Sequence, residues 1–279
     1  MAAAGRPASM RLPEGTLAAA GDEIGFDVVF PVLHGPFGED GTIQGVFEIA
    51  GIPYVGCGVL SSALAMDKDN AKKVIEAAGI ASTPWMIVRA DSFTDPSATV
   101  DTLIKELGLP LFVKPAELGS SVGVSRVTTD AELKDGIVRA FGYGDKVIVE
   151  EAITGREIEV AVLEGPRVSL AGEIITKQEW YDYDAKYNDA TSEFVTPANL
   201  TESQMALVRQ LAVDAFEALE CSGLARVDFL FEERGRGFLL NELNTMPGFT
   251  PISGFPKMWE ASGMTYPELC NELVALALA

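Results

Sequence analysis

Two stretches near the C-terminal end alternate apolar and polar positions, and a short polar run separates them. Gly223 to Phe231 reads GLARVDFLF, and Gly237 to Asn244 reads GFLLNELN. A period of two belongs to a strand with one face buried. Glu232 to Arg236 supply the turn, so the segment predicts a β-hairpin. Phe26 to Leu33 is a continuous apolar run, which predicts a strand covered on both faces. A Gly-rich turn and a short helix to Ala50 follow, with Gly51 as its stop and Pro53 beyond. Tyr54-Val55 then predicts the next strand of a βαβ-like piece. A helix is expected from about Asp67 to Ala78, with Asp67 as N-cap and Gly79 just past the end. Leu111 to Lys114, Val122 to Val127, Lys146 to Glu151 and Glu157 to Leu163 predict strands of an α+β lobe. Thr201 to Gln204 form a capping box, and Val208, Leu211, Ala212, Ala215 and Leu219 give the next helix one apolar stripe. The pattern fades between Gly172 and Leu200, which predicts a long loop. Residues 1–22 are rich in Ala, Gly and Pro and show no period.

Composition narrows the class. A length of 279 residues suits one large domain or two to three small ones, and 48% hydrophobic residues can bury a sizeable core. No apolar run is long enough for a transmembrane helix, and Met1 to Pro13 does not form a signal peptide. Cys57, Cys221 and Cys270 are far apart and odd in number, as expected of reduced thiols in a cytoplasmic protein. A net charge of −20 argues against a nucleic-acid partner. If the chain binds a polyphosphate, a few cations and metal ions must reverse the field locally.

Candidate chemistry sits in five places. If the hairpin turn centres on Gly235, Asp228 lies opposite Glu242 and Arg226 opposite Asn244. Opposed carboxylates are unfavourable unless a cation sits between them, and two carboxylates with an amide oxygen suit magnesium. A solvated outer hairpin face is the alternative. Lys114 to Gly123 reads KPAELGSSVG, a Gly/Ser loop that can cradle phosphate with a lysine beside it, or an ordinary hairpin loop. Lys68 lies in the first turn of its helix, where a bound anion would offset its conflict with the helix dipole; an exposed lysine is the alternative. His34, the single histidine, opens the Gly-dense segment HGPFGEDG after the apolar run and is either structural or close to a ligand. Tyr181 to Tyr187 (YDYDAKY) reads as a lid or as a surface turn.

Taken together, HGPFGEDGTIQG, KPAELGSSVG, YDYDAKY, GLARVDFLF and NELNTMPGFTPIS, in that order, resemble the D-alanine–D-alanine ligases. The resemblance runs from about Asp27 to the C-terminus. It implies an α/β plus α+β chain with the ATP-grasp fold. Residues 1–60 would form a shortened N-terminal α/β substrate domain, 61–150 the central lobe and 151–279 the C-terminal lobe with the metal and catalytic residues. ATP would lie between the two α+β lobes. It implies an ADP-forming ligase joining two D-alanines through a D-alanyl phosphate for the cell wall, and it leaves room for a homodimer. Asp228, Glu242 and Asn244 would hold magnesium, with manganese as a substitute and two ions in the site. Lys68 and Lys114 would contact phosphates, with Lys186 assisting from the lid. Glu150, Glu151 and Ile153 would form the adenine-side hinge and Glu157 would hold the ribose. Arg226 and the Gly248 N–H would form the oxyanion hole, and Ser253 with Gly254 would receive the second substrate's carboxylate. Ser120 and Tyr187 would close the lid, and His34 would lie beside the substrates. The family's opening strand–turn–helix with a substrate-binding glutamate has no counterpart around Glu14 or Glu23. A truncated ATP-binding remnant is therefore one alternative, and a D-lactate or D-serine ligase is another.

Overall fold

The computed structural model describes residues 8–11, 16–19, 22–119, 122–175 and 193–279. Its first strands, β1 (Ala8–Arg11), β2 (Thr16–Ala19) and β3 (Asp22–Ile24), form a small antiparallel sheet where the sequence has no legible period. Next comes α1 (Thr42–Ala50), stopped as expected at Gly51, whose φ of 62° favours glycine. Then α2 (Val59–Met66) and α3 (Lys68–Ala77) run almost end to end. The Asp67 carboxylate separates them by accepting the N–H groups of Asp69 and Asn70.

The run from Phe26 to Leu33 does not form the expected covered strand. It makes one parallel bridge, Val29 to Tyr54, and Tyr54-Val55 contributes no longer strand. Pro31 has no N–H to offer a ladder. The Val32 and Leu33 N–H groups turn back onto the carbonyls of Phe30 and Pro31. These tight three-residue turns end the extended backbone, and Val32 and Leu33 are left exposed.

The central lobe is a four-stranded antiparallel sheet. It contains β4 (Trp85–Arg89), β5 (Leu111–Pro115), β6 (Ser125–Val127) and β7 (Lys146–Glu151), in the order β4-β7-β5-β6. Strand β6 is shorter than the expected 122–127 because the Gly/Ser loop consumes its start. Two helices cover one face. α4 (Pro96–Leu107) starts on an Asp95 cap with Pro96 in its first turn, and α5 (Asp130–Ala140) starts on Thr129. Leu103, Leu133 and Ile137 pack there against Leu111, Val113, Val147 and Val149. By strand alternation Phe112, Lys114 and Glu150 belong to the opposite face.

The C-terminal lobe is built on β8 (Arg156–Leu163), β9 (Arg167–Val168), β10 (Gly172–Ile175), β11 (Glu193–Val195), β12 (Leu224–Glu232) and β13 (Gly237–Asn244). Its order is β11-β10-β8-β12-β13, with β9 beside β8 and every pairing antiparallel. Strands β10 and β11 occupy the two ends of the expected 172–200 loop and pair with each other, which corrects that expectation. On one face Ile158, Val160, Val227, Phe229 and Phe231 pack against α6 (Glu202–Ala218), whose Thr201–Gln204 capping box is present. Ala71 and Ile75 of α3 join the same core. On the other face α7 (Gly254–Ala261) and α8 (Tyr266–Ala277) cover one end, through Phe255, Met258 and Leu269 over Ala161 and Leu224. The uncovered end of that face carries the charged residues.

Candidate active site

The β12–β13 register pairs Asp228 with Glu242 and Arg226 with Asn244, as the turn arithmetic predicts. A bulge after Asp228 shifts the remaining pairs by one, so Phe229 meets Leu240. On its other side Asp228 pairs with Glu159 of β8. Glu159, Asp228 and Glu242 therefore form a row of carboxylates across three strands on one face. Such a row needs a cation. Arg226 supplies one: its Nε and Nη2 each lie 2.7 Å from an Asp228 oxygen, and its Nε is 3.3 Å from Glu159 Oε1. Burial works against the guanidinium charge, but Asp228 and Glu159, and then Glu242, hold its pKa well above its ordinary value. Asn244 donates to Asp228 Oδ2 at 2.9 Å.

Lys68 reaches across from the first turn of α3. Its Nζ donates to the Leu118 carbonyl in the Gly/Ser loop at 2.7 Å and lies 3.9 Å from Glu242 Oε2. One lysine thus touches the candidate phosphate loop and the candidate metal carboxylate. Lys114 lies 2.5 Å from Glu150 Oε2. Burial opposes its charge, yet Glu150, Glu242 and Glu157 raise its pKa. Glu157 shares the charged face of β8 with Glu159.

The Glu151 side chain faces the hairpin turn. Its carboxylate takes both terminal nitrogens of Arg236 at 2.8 Å, and its N–H donates to Pro84. The side chain therefore clasps the hairpin turn to the central lobe. Ile153 is half-buried in the segment joining β7 to β8.

The front loop folds over the same face. His34 Nδ1 donates to the Met246 carbonyl at 2.9 Å, tying residues 34–41 to the segment after β13. Glu39 receives the Gly35 N–H at 2.5 Å. Burial pushes the Glu39 carboxyl above its ordinary 4.5, and Glu242 adds to that rise, against the Gly35 N–H, His34 and Arg226. Ser253 stands at the N-terminus of α7, where its Oγ accepts the Thr250 N–H at 3.1 Å. A Cβ on Gly248 would lie 3.0 Å from Ser253 Oγ, which puts that backbone beside the serine. A Cβ on Gly254 would lie 2.6 Å from Glu159 Oε2 and 2.9 Å from the Phe194 ring, so only glycine fits. Ser120, Lys186 and Tyr187 lie outside the described residues.

Sequence reasoning missed Glu39, Glu159 and Lys72. Glu39 stands inside a quoted motif, and Glu159 shares the parity of Glu157. Lys72, on α3, gives no signal beyond being a lysine in line with Asp69 and Ile75 on the buried side. Among the described residues no group of three or more His, Cys, Asp or Glu side chains surrounds a metal position. The expected set holds two carboxylates and an amide. All three carry hard oxygen donors, and Asp228 and Glu242 are opposed on one face, so the donor chemistry fits magnesium once Asn244, which now turns its amide nitrogen to Asp228, presents its oxygen.

Residues 74–275 match the family described as D-ala D-ala ligase C-terminus, and residues 7–57 the one described as D-ala D-ala ligase N-terminus. The D-alanine–D-alanine ligase of Geobacillus kaustophilus is 49% identical over 271 residues, which cover 96% of this chain and 74% of that protein. That of Acetivibrio thermocellus is 52% identical over 255 residues, 90% of this chain and 68% of the relative. Among solved structures, the D-alanine-D-alanine ligase of Coxiella burnetii superposes with a TM-score of 0.86 at 39% identity, covering 98% of this chain and 74% of that one. The VanG D-Ala:D-Ser ligase of Enterococcus faecalis gives the same TM-score at 38% identity, covering 98% and 79%. With both of its family segments matched in order, and with half of its residues shared with such relatives, the chain belongs to the D-alanine–D-alanine ligase family.

Proposed function

We propose that this chain condenses two D-alanines at the cost of one ATP, releasing ADP and phosphate. The observation that carries the reading is the charged face between the lobes, where Arg226, Asp228, Glu242 and Asn244 meet Lys68 from α3. The carboxylate of the first D-alanine attacks the γ-phosphorus of ATP, and the bond to the ADP oxygen breaks. The amine of the second D-alanine then attacks the acyl phosphate carbon, phosphate leaves with the C–O electron pair, and the amine loses a proton. Lys68 and Lys114 offset phosphate charge in a strongly acidic chain. Glu150, Glu151 and Ile153 form the adenine-side hinge, and Glu157 holds the ribose.

Arg226 and the Gly248 N–H would stabilise the oxyanion of the second step. Ser253, at a helix N-terminus where backbone N–H groups favour anions, would receive the second carboxylate with Gly254. Asp228, Glu242 and Asn244 would hold magnesium. When bound, that ion neutralises developing charge on the phosphates. His34, whose Nδ1–H is committed to the Met246 carbonyl, would lie beside the substrates.

The cytoplasm suits this chemistry: Cys57, Cys221 and Cys270 are free thiols, and no helix among the described residues is long and apolar enough to cross a membrane. The test is ADP release with D-alanine alone, and with D-alanine paired with D-serine or D-lactate, followed by mass analysis of the product. D-alanyl-D-alanine as the dominant product is expected. A preference for D-serine would move the chain toward the specificity named for the VanG structure. ADP release without any dipeptide or depsipeptide would overturn the reading.

A further inference from the structure

Lys72 is 1% exposed, so it cannot meet a nucleotide. Its ammonium is nevertheless fully engaged. It lies 2.8 Å from Glu150 Oε1 and 3.2 Å from the Thr83 carbonyl, and it also donates to Thr83 Oγ1. An ammonium has three donors, and here all three have partners. Thr83 Oγ1 in turn lies 3.2 Å from the same Glu150 oxygen. The second Glu150 oxygen meets Lys114. One carboxylate is thus shared between a sealed lysine and a lysine on the candidate phosphate side.

Charge arithmetic gives this sharing a consequence. One carboxylate and two ammonium groups sum to a single positive charge. Without Lys72, Glu150 and Lys114 would sum to zero, and both carboxylate oxygens could turn to Lys114. A neutral, closed pair attracts a polyphosphate far less than a net cation in a low-dielectric setting. We infer that Lys72 is a positioning residue for nucleotide binding, which occupies and neutralises one oxygen of Glu150 so that the charge of Lys114 remains directed at the phosphates. The burial of Glu150 would ordinarily raise its pKa, but Lys114 and Lys72 together drive it well below 4.5, so the carboxylate stays charged. Burial takes the pKa of Lys72 below its ordinary value, with Glu150 opposing the fall.

The inference rests on the reading of Lys114 as a phosphate contact. The experiment measures the Kd of ATP and of inorganic tripolyphosphate, which has no base, for the full chain and three variants. Lys72→Met is expected to weaken both ligands by about tenfold and to raise KM for ATP, while KM for D-alanine stays within about twofold. The double variant Lys72→Met/Glu150→Gln deletes both charges and frees Lys114. It is expected to bind tripolyphosphate within about threefold of the unmodified chain. A double variant weaker than that overturns the inference, and this readout stands even if Lys72→Met alone does not fold. Lys72→Met with unchanged nucleotide affinity overturns it as well. Lys114→Met is the separating control: if it leaves tripolyphosphate binding intact, the phosphate reading of Lys114 has failed, whatever Lys72 does.

Discussion

Two charge clusters, one around Glu150 of the central sheet and one around Arg226 of the C-terminal sheet, are built in opposite ways. Around Glu150 of the central sheet the side chains of Lys72 and Glu150 are 2% and 3% exposed, and local hydrogen bonds complete the lysine. In the C-terminal lobe Arg226 and Asp228 are each 13% exposed, and their face opens toward the front loop and the α3 terminus. A sealed cluster fixes geometry, because a buried charge that loses its partner is strongly penalised. An open one can exchange partners, so a metal ion or an oxyanion can take the place of an internal contact. Position therefore comes from one lobe and chemistry from the other, and variants should separate the two.

The largest effect belongs to the open cluster. Arg226→Ala should lower kcat by about 10²–10³, the range for losing one oxyanion donor. KM for ATP should stay within about twofold. Steady-state kinetics at saturating D-alanine decides this. A variant with normal kcat and weak ATP binding would make Arg226 a phosphate ligand instead. Asp228→Asn comes next. It removes one of the two opposed carboxylates, so the magnesium concentration for half-maximal ADP release should rise at least about tenfold. An unchanged magnesium titration would mean that Asp228 serves only to hold Arg226.

Gly254→Ala probes the wall shared by the substrate end and the sheet. Its methyl would press on Glu159 Oε2 and the Phe194 ring. Overpacking of this kind costs about 1–3 kcal/mol, read as a lower Tm, and KM for the second D-alanine should rise because α7 must shift. A Tm and KM equal to those of the unmodified chain would show that α7 yields freely.

The same contrast explains what the sequence disclosed. The open cluster was legible because strand alternation is local: a turn near Gly235 puts Arg226, Asp228, Glu242 and Asn244 within one residue of these pairings, and the bulge after Asp228 completes the match. The bulge beyond Asp228 was not, since Asn241 carries no mark that distinguishes a bulge from a regular pleat. Caps were legible at Asp67 and Thr201 because a capping side chain acts within three residues. Lys72 and Glu150 are 78 positions apart by their numbering, and only tertiary packing, which seats α3 on the C-terminal-lobe core with Lys72 against β7, joins them. Glu39 acquires its environment in the same way, from Glu242 and Arg226 on a distant hairpin. Phe26 to Leu33 misled for a related reason. Its composition suits a covered strand, but Pro31 and the tight turns that follow decide the backbone.

The smallest effect lies at the surface, where Arg236 joins the lobes by binding Glu151 and Glu232 together. Hydrogen bonds from Arg236 take the Glu232 carboxyl from its ordinary 4.5 down to about 2. A depressed carboxyl pKa contributes stability that is present above the unfolded value and disappears as pH falls through the folded one. The contribution of Glu232 should therefore be complete above about pH 4.5 and fade toward pH 2. Arg236 is 41% exposed, so solvent screens the pair, and its net worth at neutral pH falls to the few tenths of a kcal/mol usual for surface ion pairs. Glu232→Gln should lower Tm slightly at pH 7 and leave ATP affinity unaltered, because Glu151 still holds Arg236. As pH drops through the window, the Tm curves of the two proteins should converge. Parallel curves down to the acid limit would mean that Glu232 has no favourable partner in the folded chain, and that Glu151 alone carries the clasp.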